Sequence, residues 1–391
     1  MFSETSPTDL RARWMILLML TAAIAAMGVV EFLMILAHQP LGVDYLPLWT
    51  GALEARRDPS GLYDFARITA LQSWRLDAWH SNAGPLVRPF VYPPSALLVL
   101  APASLAGFQS SLVGWLAATG ALLTAAAARL APREAALMVL LTFCATPCFT
   151  VAFVGQTTFL VAALVVFSVP LLGIRPILAG ALLAAAALIK PSLLALAPFA
   201  LIAGGHWRAA TSALGAGIAG AAVTTALFGV QPWFDWLAAL PRFQALADEM
   251  LRQSSISLPS VAAGLGLGPV GQWIVNLAIF AACAGLVWRV FRRSDDVVER
   301  LAALCGAGLV CAPYVLMYDA VMLAPVVALF VVRTIRTQEW IWGVTAILLT
   351  TVTGVAPIGP FATLGLVLLL TGPALGFARP ALFAQPAVRP A

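Results

Sequence analysis

Apolar residues along this chain fall in long unbroken runs, with neither the strict alternation of a barrel strand nor the one-sided stripe of a water-facing helix. Crossing a hydrocarbon layer as a helix takes about 17 to 25 residues, and runs of that order recur from Trp14 to Phe377 with two long interruptions. In hydrocarbon every backbone N–H and C=O must be bonded within the protein, so only closed barrels and helices can span it. The runs are rich in Ala and Leu and lack period-two patterning, which leaves helices. The pattern places spans near 14–37, 109–130, 136–153, 157–173, 176–189, 191–204, 208–229, 271–290, 298–314, 319–333, 339–356 and 360–377. That predicts an all-α polytopic membrane protein, one domain over residues 1–391 built as a bundle of about twelve transmembrane helices. Ser95–Gly107 is apolar but short, and reads as a re-entrant or interfacial helix. The pair 176–189 and 191–204 is also short and is broken at Pro191, so these helices are expected to tilt or to stop within the membrane, where they can line a cavity.

Composition agrees with this pattern. Residues of the AVILMFWYC set make up 61% of the chain and charged residues 10%, against about 45–50% and 25% in soluble domains. The net charge of +5 does not point to nucleic acid, because the arginines lie at the ends of apolar segments and act as topology determinants. With the amino terminus inside, Arg11, Arg13, Arg129, Arg133, Arg175, Arg208, Arg289, Arg292, Arg293, Arg300, Arg333, Arg336, Arg379 and Arg389 collect on the cytoplasmic side. Both termini are then cytoplasmic, and two long segments, 38–94 and 230–258, form a large first and a second outer loop. The apolar run after Arg11 and Arg13 continues to Ala37, too long for the core of a signal peptide, and is kept as the first span. Cys144, Cys148, Cys283, Cys305 and Cys311 sit inside apolar runs with no C-x-x-C pair and read as packing residues.

Polar groups inside a bilayer are costly and mark function, so their positions guide the search for a site. Asp44, Gln156, Lys190 and Asp319 all fall at or near the outer ends of their helices, which predicts one polar cavity opening outward. Lys190 is the sole lysine among 22 basic residues and precedes Pro191 within an apolar stretch. A lysine there either snorkels to the interface or presents a compact positive charge to an anionic head group. Asp44 is followed by Tyr45 and Trp49, whose flat faces and polar tips suit a sugar, although a loop aspartate is ordinarily a cap or a solvated charge. Farther on come Tyr63, Trp74, Trp79 and the run Arg88-Pro89-Phe90-Val91-Tyr92-Pro93-Pro94. Tyr314, Tyr318 and Asp319 follow Pro313 at a turn between spans, where an interfacial tyrosine belt and a helix cap are the plainer reading. Glu31 lies inside the first span with no assignable role. His38, His80 and His206 form no H-E-x-x-H or paired-histidine motif, and there is no Walker-type loop, so neither a metal nor a nucleotide cofactor is expected. Asp295 and Asp296 between Arg293 and Arg300 read as a solvated charge run.

The ordered set Asp44-Tyr45 with Trp49, Phe90-Val91-Tyr92-Pro93-Pro94, Gly155-Gln156, Lys190-Pro191 and Tyr318-Asp319 resembles glycosyltransferase family 87. These are GT-C membrane enzymes related to bacterial polyprenyl-phosphate-mannose-dependent mannosyltransferases, and the likeness runs from about residue 40 to 335. It implies a GT-C fold, a catalytic aspartate in the first outer loop at Asp44, and a polyprenyl-phosphate-linked sugar as donor to a lipid or glycan acceptor. Lys190, with Arg242 or Arg252 of the second outer segment, would hold the donor phosphate. Tyr45, Trp49, Tyr92, Gln156, Tyr318 and Asp319 would line the substrate site. Thr158 stands where members often carry asparagine, and no histidine accompanies Tyr318-Asp319 as it does in some relatives. A lipid or small-solute transporter or flippase is the competing class. It would show repeated halves with matching broken helices, and no such repeat is visible.

Orientation yields the first test. A periplasm-active reporter fused near Trp79 is expected to be active, and one at Ala391 silent; the reverse pattern would invert the topology.

Overall fold

The computed structural model describes residues 7–38, 41–76, 88–250, 254–337, 339–355 and 357–377. Among them the regular structure is helical, and an isolated antiparallel bridge joins Ser255 to Leu316. The helices are α1 (Pro7–His38), α2 (Tyr45–Arg57), α3 (Phe65–Leu76), α4 (Pro94–Leu105), α5 (Phe108–Leu130), α6 (Ala135–Phe143), α7 (Thr146–Val154), α8 (Thr158–Leu171) and α9 (Pro176–Ile189). After them come α10 (Pro191–Ala203), α11 (Trp207–Phe228), α12 (Gln231–Met250), α13 (Leu258–Ala263), α14 (Pro269–Arg293), α15 (297–311), α16 (Met317–Thr334), α17 (Trp340–Val352) and α18 (Gly359–Thr371).

Five of these helices are long and apolar enough to cross a bilayer alone, and six spans result if α6 and α7 are counted as one. Other segments of the expected dozen are shorter. Helices α8 and α9 have 14 residues each, about 21 Å at 1.5 Å per residue against a hydrocarbon thickness of about 30 Å. The expected single span over 136–153 is divided: α6 and α7 meet at a 67° bend. Pro147 sits in the first turn of α7, where its missing N–H costs nothing, and the break falls at Ala145, whose backbone is extended. The apolar stretch after Pro94 is a helix too short to cross, as its length implied.

The outward faces are apolar. Met19, Leu33, Leu214, Ile218, Leu227 and Val270 all stand exposed, a distribution that fits lipid rather than water as the surrounding solvent. At the centre lies α16, 83% of whose apolar window is buried, against 6% for α11 on the outside. Small residues let neighbours close up: a side chain at Gly180 of α9 would strike the Ala209 backbone of α11.

The two segments between spans are themselves structured. In the first, buried Glu54 on α2 pairs with Arg67 of α3 at 2.5 Å, and Arg67 also pairs with Asp58 at 2.8 Å. Hydrogen bonds from Ser60 and Arg67 hold the Asp58 carboxyl below the usual carboxylate range. In the second, α12 lies against the first: Phe243 stacks on Phe65 at 5.1 Å, and Trp236 donates to the Val91 carbonyl at 3.3 Å. The chain then returns to the bundle through Ile256, whose N–H donates to Val315 O at 3.0 Å.

One glycine sets the register between these layers. Gly155 ends α7 with φ of 80°, a left-handed conformation that a side chain disfavours, and a Cβ there would press on Tyr45. Gly155→Ala is therefore expected to destabilise the folded protein by about 1–3 kcal/mol, whereas Gly173→Ala, where the added carbon meets nothing, should be neutral. Thermal unfolding in detergent distinguishes the two, and equal effects would contradict the assignment.

Candidate functional site

Five interruptions in the helices meet at one end of the bundle: 41–44 after α1, 88–93 before α4, Gly155–Thr157 between α7 and α8, Lys190 between α9 and α10, and 312–316 before α16. Backbone bonds tie the first to the third, since Gly42 and Asp44 donate to Phe153 O and Val154 O at 2.8 and 3.0 Å. Together they line a cavity of about 380 Å³, within the roughly 300–1,000 Å³ of small-molecule sites. Helix α12 closes one side with Trp236, Leu240, Phe243, Gln244 and Leu246.

Polar groups of the cavity form a connected network around Gln156, which is buried. Its Nε2 donates to Asp44 Oδ2 at 3.3 Å and to Tyr318 Oη at 3.1 Å. Its Oε1 accepts from Tyr92 Oη at 2.5 Å and from the Thr157 N–H at 3.3 Å. A carboxylate only accepts, so Asp44 fixes which way the amide faces. Tyr92 then spends its single proton on Gln156, and the Thr157 hydroxyl donates to Tyr92 at 3.0 Å. Burial raises the Tyr92 phenol above its ordinary range, which keeps that proton in place at neutral pH.

Asp44 occupies the N-cap position of α2 but caps nothing with its side chain. Its Oδ1 instead accepts from Arg88 Nη1 at 2.7 Å. The plainer readings, a helix cap or a solvated charge, therefore do not describe it. Asp319 is a cap and an ion-pair partner at once: Oδ2 accepts from the Leu316 N–H at 3.4 Å, while Oδ1 meets Lys190 Nζ at 2.5 Å and the Thr158 hydroxyl at 2.8 Å. Lys190 turns inward rather than to the interface, since α9 stops before Pro191 and leaves the lysine beside this carboxylate. Its ammonium stands 5.2 Å from the Tyr318 ring centre and 5.9 Å from that of Tyr92.

Of the residues singled out from sequence, Asp44, Tyr92, Gln156, Lys190, Tyr318 and Asp319 line the cavity. Tyr45 and Trp49 are not among its lining residues. The Tyr45 hydroxyl bonds Ser111 at 2.6 Å and Trp49 Nε1 donates to Ala106 O at 3.1 Å, so both rings pin α2 to α5 and to the link between α4 and α5. Arg242 is not among the lining residues either: it lies over the Phe65 ring at 4.4 Å, the ring on which Phe243 stacks. Arg252 lies outside the described residues. Sequence reasoning missed Arg88 and Tyr314 as cavity residues, and with them the row on α12. A signal existed: of the five tyrosines in the chain, Tyr92, Tyr314 and Tyr318 reach the cavity and Tyr45 and Tyr63 sit in its surrounding walls.

A model of glycosyltransferase family 87 matches residues 90–318. The matched stretch carries Tyr92, Gln156, Lys190 and Tyr318; Asp44 and Arg88 precede it, and Asp319 is the next residue after it. Comparison with curated proteins and with solved structures gives no match. The family match covers more than half of the 391 residues and supplies the wall, the hub and the one lysine of the cavity, on a chain whose helices are made for a bilayer. The chain belongs to glycosyltransferase family 87 and is a membrane glycosyltransferase.

Proposed function

We propose that this enzyme moves a sugar, a hexose such as mannose, from a polyprenyl-phosphate donor to a lipid or glycan acceptor on the outer side of the membrane, with inversion at the anomeric carbon. The carrying observation is the pairing, within one cavity, of a carboxylate that caps nothing and a lysine lodged at a helix break. In the reaction Asp44 takes the acceptor hydroxyl proton, the acceptor oxygen bonds the anomeric carbon, and the bond from that carbon to the phosphate oxygen breaks with its electron pair on the leaving lipid phosphate. The donor phosphodiester carries one negative charge and the departing monophosphate gains a second. A fixed cation such as Lys190 therefore binds the transition state more strongly than the ground state, which is what accelerates the step.

Two further features support a lipid-borne donor. One side of the cavity is apolar, with Ile189, Leu193, Leu240, Phe243, Leu246 and Leu316. Helix α12 also exposes Phe234 and Leu237 beside Trp236 and Leu240, an amphipathic face suited to the lipid interface. Gln156, oriented by Tyr92, acts through Asp44 by anchoring its Oδ2, which leaves Oδ1 as the proton-accepting oxygen. Lys190 and Asp319 neutralise one another while the site is empty, and phosphate competes with Asp319 for the ammonium.

Asp44→Asn keeps size and the bond to Gln156 but removes the base. In purified, folded protein it is expected to lower transfer by about 10² to 10⁴. Asp64→Asn in the same loop, whose carboxyl caps Ala66 and Arg67, should transfer normally. Near-normal turnover in Asp44→Asn would remove this mechanism.

A further inference from the structure

Arg88 is a cavity residue whose bonding is unfinished. Its backbone is fixed: the preceding position of Pro89 restricts it to extended geometry, and buried Gln72, itself bonded to Thr50 at 3.0 Å, donates to Arg88 O at 2.9 Å. Its guanidinium is not fixed to the same degree. Among the described residues its one hydrogen bond runs from Nη1 to Asp44 Oδ1, and its Nε is buried without an acceptor. The residues beside it in the chain that line the cavity, Pro89, Val91 and Pro93, offer no side-chain acceptor. A buried donor left unpaired is costly, and a guanidinium fork can meet both oxygens of one carboxylate. Here Asp44 gives its second oxygen to Gln156 instead. The free edge of the fork has the geometry for a phosphate, whose oxygens it can meet in pairs.

We propose that Arg88 is a donor-phosphate ligand which Asp44 occupies while the site is empty, so that arrival of the phosphate both completes the guanidinium's bonding and frees Asp44 to act as base. This rests on the lipid-phosphate donor proposed above. It adds an order to the reaction: donor first, because an acceptor arriving alone meets a carboxylate whose proton-accepting oxygen is held by a cation. It also restricts water's access to an active base, since Asp44 is released only when a sugar phosphate is in place. Lys190, paired with Asp319 on the same cavity, would meet the phosphate from a second direction.

The distinguishing consequence is that removing the competing carboxylate strengthens phosphate binding. The probes are undecaprenyl phosphate and, as its uncharged control, undecaprenol, titrated into purified full-length protein in detergent micelles by microscale thermophoresis. Wild type should prefer the phosphate. Arg88→Gln should lower phosphate affinity by about tenfold or more, the loss of a charge-assisted pair, with Arg88→Lys recovering part of it. Asp44→Asn should bind the phosphate several-fold more tightly than wild type, and the Asp44→Asn/Arg88→Gln double variant should lose that gain. A purely structural pair would make Asp44→Asn bind no better or worse, and that result overturns the proposal even if the Arg88 variants fail to fold. Retained phosphate preference in folded Arg88→Gln also overturns it while leaving the donor assignment intact. No preference for phosphate over alcohol in wild type would sink the donor assignment itself, and this inference with it.

Discussion

The arrangement of the site depends on the Gln156 carboxamide. Away from water each polar atom needs a partner, and this side chain finds four: Asp44, Tyr318, Tyr92 and the Thr157 N–H. Its two donors and two acceptor positions are all used, and the acceptor-only carboxylate at one end dictates the direction of every bond that follows. Three separate parts of the chain are thereby held in one geometry, the start of α2, the segment before α4 and the start of α16. Removing the amide would leave several buried groups unpaired at once, which is why such a network specifies a single arrangement rather than an ensemble.

Gln156 can occupy that place only because helices stop around it. Each of the five interruptions exposes backbone groups that a continuous helix would have satisfied, and at two of them a cavity side chain answers one, Gln156 the Thr157 N–H and Asp319 the Leu316 N–H. Gly155 turns the chain with positive φ, Pro191 prevents α9 from continuing past Lys190, and Asp319 caps its own helix while balancing the lysine. The stretches between spans complete the enclosure. Helix α12 contributes an apolar wall, and the bond from Trp236 to Val91 ties that wall to the segment bearing Arg88 and Tyr92. Specific chemistry is thus concentrated where regular structure fails, while the remaining helices present apolar faces outward.

Much of this was legible in the chain because the bilayer penalises polarity so heavily. A lone lysine before a proline, and aspartates and a glutamine at span ends, stand out against an apolar background, and four such residues, Lys190, Asp44, Asp319 and Gln156, meet in the cavity. Long-range pairing was not legible. Asp44 and Arg88 are 44 positions apart, and no periodicity relates a loop carboxylate to an arginine in an extended run. Adjacency also misled: Tyr45 and Trp49 lie four apart on one face of α2, and that face turns to α4 and α5 rather than to the cavity beside Asp44. On α12 the cavity row Trp236, Leu240, Phe243 and Gln244 follows helical spacing, and reading 231–250 as an amphipathic helix would have shown it; Arg242 instead lies over the Phe65 ring. The bend between α6 and α7 carried a signal in Pro147 that the surrounding apolar run concealed.

The central claim is that a lipid phosphate, released as leaving group between cations of this cavity, drives sugar transfer. Its most direct test offers purified wild-type protein in liposomes a radiolabelled hexose on polyprenyl phosphate and, separately, the same hexose on a nucleoside diphosphate, with membrane lipid extract as acceptor. The account predicts labelled product from the polyprenyl phosphate alone, its new linkage opposite in anomeric configuration to the donor. Transfer from the nucleotide sugar, or a product that retains the donor's configuration, would contradict it.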